Sequence, residues 1–231
     1  MNLLDIRQEF IEKTGRTDLA TTSTGSSENY DVDAGADFYI KAAIRTLDRM
    51  QENSSSEAYF SANLAVGASE VKVIDCRNIS QVWIVTTDGQ TKLEWMNYEE
   101  LMTEYPKLTT TTSGTPEYWS SYNKVLSPRQ RFSGDDYGNR TVVVMPPTNA
   151  AVEVQVYGKF YSSDLVDNVD ENFWSVVHPD ILIMAAMQEV EGFYRNTEGY
   201  ADFERIVQKK LRGIDVDLAS IDAADAIEME G

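Results

Sequence analysis

The chain is poor in the residues that most protein chemistry needs. It has one cysteine, Cys76, so no intrachain disulfide can form. It has one histidine, His178, so a Ser-His-Asp triad would have to be built on that single imidazole. Bases are scarce: 20 Lys+Arg stand against 38 Asp+Glu, a formal net charge of -18 over 231 residues. That balance argues against a protein that grips nucleic acid by neutralising phosphates, though not against one that DNA merely passes. Long apolar runs are missing too. The longest, Ile181 to Met187, falls far short of the ~20 residues that span a bilayer, so no membrane partner is expected. The start, Met1-Asn2-Leu3-Leu4-Asp5, has neither the basic residues nor the apolar stretch of a signal peptide, and a reducing cytoplasm is the expected place of synthesis. Neither Gly-x-Ser-x-Gly nor a phosphate-cradling glycine loop occurs.

What is present is the composition of a folded protein, 42% hydrophobic and 10% aromatic. The pattern reads helix, helix, a run of strands, then helices. Leu3, Ile6 and Phe10 recur at helical spacing over residues 2–13, and Thr14-Gly15 supplies a stop. Residues 20–35 are mainly Thr, Ser, Gly and Asp and read as a loop. A second helix starts near Ala36, with Ile40, Ile44, Leu47 and Met50 as its stripe and Phe38 and Ala43 beside it.

After residues 51–56 the period changes from 3.6 to 2. Ala58 to Val66, Val71 to Ile74, Val82 to Val85, Leu93 to Met96, Tyr118 to Val125, Thr141 to Met145 and Val152 to Tyr157 read as strands. Asp88-Gly89 marks a hairpin turn. Asn97 caps a short helix over 98–105, with Glu100 at the capping-box position and Pro106 behind it. Many short antiparallel strands at close spacing predict a small barrel or sandwich.

From Asp164 the helical period returns. His178-Pro179-Asp180 opens a helix that is apolar nearly all round from Ile181 to Met187, and so belongs at the centre of a bundle. Another runs from about Glu198 to Arg212, and Gly213 reads as its stop. Residues 214–231 carry six acids and no base, yet keep Leu218, Ile221, Ile227 and Met229. A purely solvated tail needs no spaced apolar residues, whereas a segment that docks on a partner does.

Candidate chemistry is thin. His178 reads as an N-cap or a neighbour of one, and Cys76 as a small buried hydrophobe. The carboxylates Asp164, Asp167, Asp170 and Glu171 lack the glycine and terminal glutamate of a calcium loop and read as caps. The aromatics Trp95, Tyr118, Trp119 and Tyr122 suit a β core, or alternatively a sugar- or partner-binding face. No catalytic residue, cofactor or metal is expected.

The runs Phe10 to Leu19, Ala36 to Arg49, Asn172 to Ala186 and Glu191 to Gly199 together resemble the head-to-tail adaptor proteins of tailed bacteriophages. Thr115 to Trp119 and Met145-Pro146-Pro147 look like segments of that family's β-domain. The resemblance implies an α+β fold. Helices from both chain ends (residues 1–55 and 162–213) would form one bundle around an inserted antiparallel β-domain (56–161), followed by an extended acidic tail (214–231). It implies a virion structural protein rather than an enzyme: a ring, usually of twelve copies, at the neck between capsid and tail. The ring's partners would be the portal protein, tail or nozzle proteins and further copies of itself, with DNA passing through without specific binding. Leu218, Ile221, Ile227 and Met229 would be its apolar anchors on the portal or on the adjacent subunit. The alternative expectation is a carbohydrate-binding module or glycan-cleaving virion protein that uses the β-domain.

Overall fold

The computed structural model describes residues 1–20, 30–50, 57–87, 89–106, 113–122 and 140–228, with side chains as far as residue 217 except that of Tyr122. The fold is α+β, with six α-helices and two four-stranded sheets among the described residues. The chain divides into two compact units, one of residues 1–56 and 162–231, the other of residues 57–161.

The first unit is helical. α1 (Leu3–Thr14) begins at Asn2, whose side chain accepts the Asp5 N–H while the Asp5 carboxylate accepts the Asn2 N–H. This reciprocal cap satisfies two donors that the first turn would otherwise leave open. Gly15 ends the helix at φ 66, a conformation that costs glycine nothing. α2 (Ala36–Met50) follows, then α4 (Phe173–Val177), α5 (Pro179–Phe193) and α6 (Thr197–Glu228). One core joins Leu3, Phe10, Ile40, Leu47, Trp174 and Leu182 with their neighbours, and α5 supplies its middle through Ile181, Leu182, Ile183, Ala185 and Ala186.

Two buried polar networks tie loops to this core. Arg7, 2% exposed, forks onto Asp37 with both bonds at 2.9 Å. Its remaining nitrogen donates to the Tyr30 carbonyl and to Asn168 Oδ1. The Asp48 carboxylate accepts from the Ser162 N–H, the Ser162 hydroxyl and Trp174 Nε1 at 2.7–2.9 Å. Buried charges persist where each is paired in this way.

The second unit is a β-sandwich. β1 (Glu57–Leu64), β8 (Val152–Phe160), β3 (Cys76–Thr86) and β4 (Gly89–Lys92) form one sheet in that order. β2 (Glu70–Val73), β7 (Arg140–Met145), β6 (Tyr118–Tyr122) and β5 (Glu94–Trp95) form the other. The sheets share a core of Leu64, Val71, Val82, Ile84, Trp119, Val142, Val154 and Val156 with their neighbours. α3 (Tyr98–Glu104) covers the outer side of β7, where Leu101 meets Val143 and Met145. Both faces of β7 are therefore buried, which explains its unbroken apolar run. Gly158 is fixed by packing, because a Cβ there would lie 2.1 Å from the Asn78 carbonyl oxygen.

Three expectations need correction. The extended tail is not extended: α6 continues through Gly213 to Glu228. Gly213 meets no steric demand, and the alanines that follow favour continuation. The sheets are not wholly antiparallel either. β5 pairs with β6 in parallel, because α3 intervenes and returns the chain in the same direction. Leu93 is where the β4 strand leaves the first sheet and β5 joins the second. Finally, Asn97 caps α3 through the N–H of Glu99 rather than that of Glu100. The expected hairpin residue Asp88 and residues 123–125 of the predicted strand lie outside the described residues.

Candidate functional site

The helical unit exposes aromatic side chains that its core does not need. Phe38 is 66% exposed, Phe193 65% and Tyr194 52%. They come from the first turn of α2 and the end of α5, and they meet around Tyr39. Phe38 and Phe193 both stand edge-on to the Tyr39 ring, at 5.3 and 6.0 Å between centroids, and Tyr194 stands edge-on to Phe193 at 5.3 Å. These are the tilted contacts that aromatic quadrupoles favour.

Arg16 holds one margin of the cluster. Its guanidinium lies 4.5 Å from the Tyr194 ring centroid, donates to the Tyr194 hydroxyl at 2.6 Å, and forks onto Asp18 at 2.7 Å. The bonds from Arg16 hold the Asp18 carboxyl below its usual range, and Asp18 in turn keeps Arg16 charged. An exposed group of three large aromatics with a fixed cation beside it has the make-up of an association surface. Sequence periodicity places Phe38 beside a core stripe. It does not disclose that Phe38 faces outward, because the cluster forms only where Phe38 and Phe193, some 155 residues apart, both meet Tyr39.

The expected anchors fall elsewhere. Leu218, Ile221 and Ile227 lie in the last turns of α6, whose side chains are outside the described residues, and Met229 lies outside them altogether. Ile214 is the last residue of α6 seen packing against the core, and Asp215, Val216 and Asp217 are exposed. Earlier on the same helix Lys210 pairs with Asp180 of α5. Burial opposes ionisation of Asp180, and the Lys210 ammonium overcomes it, so its carboxyl stays below the usual range.

The remaining candidates are structural. His178 is the C-cap of α4 and the N-cap residue of α5, with its ring edge-on to Phe173 at 5.6 Å. Cys76 is buried, and that burial pushes its thiol up to about 11. Asp164 pairs with Arg45, while Asp170 accepts the N–H groups of Val166 and Asp167. No group of acids, His or Cys suited to a metal occurs among the described residues. Trp119 is 4% exposed inside the sandwich, Tyr118 packs towards α3, and Trp95 is 60% exposed on the two-residue strand β5. These three aromatics therefore do not form one binding face, and the side chain of Tyr122 lies outside the described residues. No helix among the described residues is long and apolar enough to cross a membrane.

No family model matches the chain, and no curated protein matches its sequence.

Proposed function

We propose that this chain is a virion structural protein whose copies form a ring joining the capsid portal to the tail and enclosing the passage for DNA. The observation that carries the reading is the exposed Phe38, Phe193 and Tyr194 cluster on the helical unit. Equivalent heterologous contacts through such a patch close a ring when the rotation fits, and many weak contacts then act together. The charge supports the same reading. At -18 per copy, an assembly would be strongly anionic, and any part lining a lumen would repel DNA rather than hold it. The acidic residues 214–231, with Leu218, Ile221, Ile227 and Met229, are the segment proposed to engage the portal or the adjacent subunit.

Removing residues 215–231 tests the anchor while keeping Ile214 in the core. The truncated protein is expected to retain its helical circular dichroism from α1 to the first half of α6 and to lose co-sedimentation with portal-bearing capsids. Co-sedimentation equal to that of the full chain would refute the anchor.

A further inference from the structure

The outer side of the β1–β8–β3 sheet carries a groove of about 300 Å³ lined by Glu57, Tyr59, Ser80, Gln81 and Tyr157, at the small end of ligand-sized pockets. Tyr59 and Tyr157 are register partners on neighbouring antiparallel strands. Their rings lie 5.5 Å apart at 31°, and Tyr59 is 59% exposed, so together they make an aromatic shelf open to solvent. Gln81 faces Tyr157 from the other side.

A register irregularity between Ile79 and Gln81 gives the groove its rim. There Ser80 is displaced from regular pairing and donates its hydroxyl to the Tyr157 carbonyl at 3.1 Å. Bulges of this kind re-aim side chains and recur beside binding sites.

The polar groups around the shelf are held in fixed orientations. Trp83 Nε1 donates to Gln81 Oε1 at 3.1 Å. An indole can only donate, so the Gln81 amide must turn its NH₂ side away from Trp83. The Tyr157 hydroxyl donates to Gln155 Oε1 at 3.2 Å, and Gln155 Nε2 donates to Glu153 Oε1 at 2.9 Å. Ser61 donates to that same carboxylate oxygen at 2.6 Å. The bonds from Gln155 and Ser61 keep the Glu153 carboxyl below its usual range.

We infer that this groove binds a neutral saccharide. A pyranose ring has one face of C–H groups and an edge of hydroxyls. The C–H face suits the negative faces of Tyr59 and Tyr157, and the hydroxyls suit the amide and carboxylate groups at the rim. Charge decides against the anionic relatives. The lining holds a carboxylate and no cation, and the nearest base in the register, Lys159, stands opposite Glu57. A phosphate, sulfate or uronate would meet the Glu57 carboxylate with no cation in the lining, and the chain's net charge of -18 repels it. The site does not depend on ring formation.

Calorimetric titration of the full chain with maltohexaose, hexa-N-acetylchitohexaose and mannohexaose in separate runs tests it, with polygalacturonate as the anionic comparison. At least one neutral hexasaccharide should bind, and polygalacturonate should not. Tyr59→Ala and Tyr157→Ala should each weaken that binding about tenfold or more, while Trp95→Ala on the other sheet leaves it unchanged. If Tyr157→Ala does not fold, Gln81→Leu takes its place. Failure of all three neutral probes, equal binding of polygalacturonate, or unchanged affinity in the Tyr59→Ala variant would overturn the site. Tyr59→Ala should still co-sediment with capsids, so loss of sugar binding and loss of the adaptor role are separable.

Discussion

At the scale of single residues, the buried carboxylate of Asp48 shows how the helical unit holds its long return segment. It takes three hydrogen bonds, from the backbone and hydroxyl of Ser162 and from the indole of Trp174. Asp48→Ala would leave all three donors without this partner, at a cost of about 3 kcal/mol in unfolding free energy. Asp48→Asn, which keeps an acceptor, should lose clearly less, and urea unfolding of both variants checks the order. Cys76 gives a pH signature. Its folded thiol titrates at about 11 against 9.0 for a free one, because burial disfavours the thiolate. The folded state therefore binds the proton more tightly. Its contribution is complete below pH 9 and is lost as pH rises towards 11, about 3 kcal/mol in all. The difference in stability between the native chain and Cys76→Ala should shrink by that amount across this window. Neither the Asp48 network nor the Phe38 cluster was legible from sequence, since each joins residues more than a hundred positions apart and neither leaves a periodic trace.

At the scale of elements, local signals located most helices and strands. Gly15 ends α1, His178-Pro179 opens α5, and the alternation of Val152, Val154 and Val156 marks β8. They misled where a residue type has two uses. Gly213 reads as a stop because lysines and arginine precede it, yet no left-handed conformation is required there and the helix continues. Gly213→Ala should thus stabilise the helical unit by up to about 1 kcal/mol and raise helicity at 222 nm. A Gly213 that really ended the helix in a left-handed conformation would give the opposite sign. Strand partners were the other blind spot. Alternation gives the face a residue occupies but not which strand lies beside it, so the sheet change at Leu93 and the parallel β5–β6 pair emerge only from the fold.

At the scale of the whole molecule, two units with separate cores make two kinds of surface available. The helical unit exposes apolar aromatics, which suit protein association, and the sandwich exposes an aromatic shelf with polar edges, which suits a hydroxylated ligand. The proposed adaptor role rests on the first, and on a net charge of -18 that would repel DNA rather than hold it. Imaging of negatively stained, portal-bearing tail-less phage capsids, before and after adding the purified chain, tests that proposal most directly. An added ring of density at one vertex only is expected, and it should be absent when Phe38→Ser and Phe193→Ser are combined. Vertices that look the same with and without the protein would contradict it.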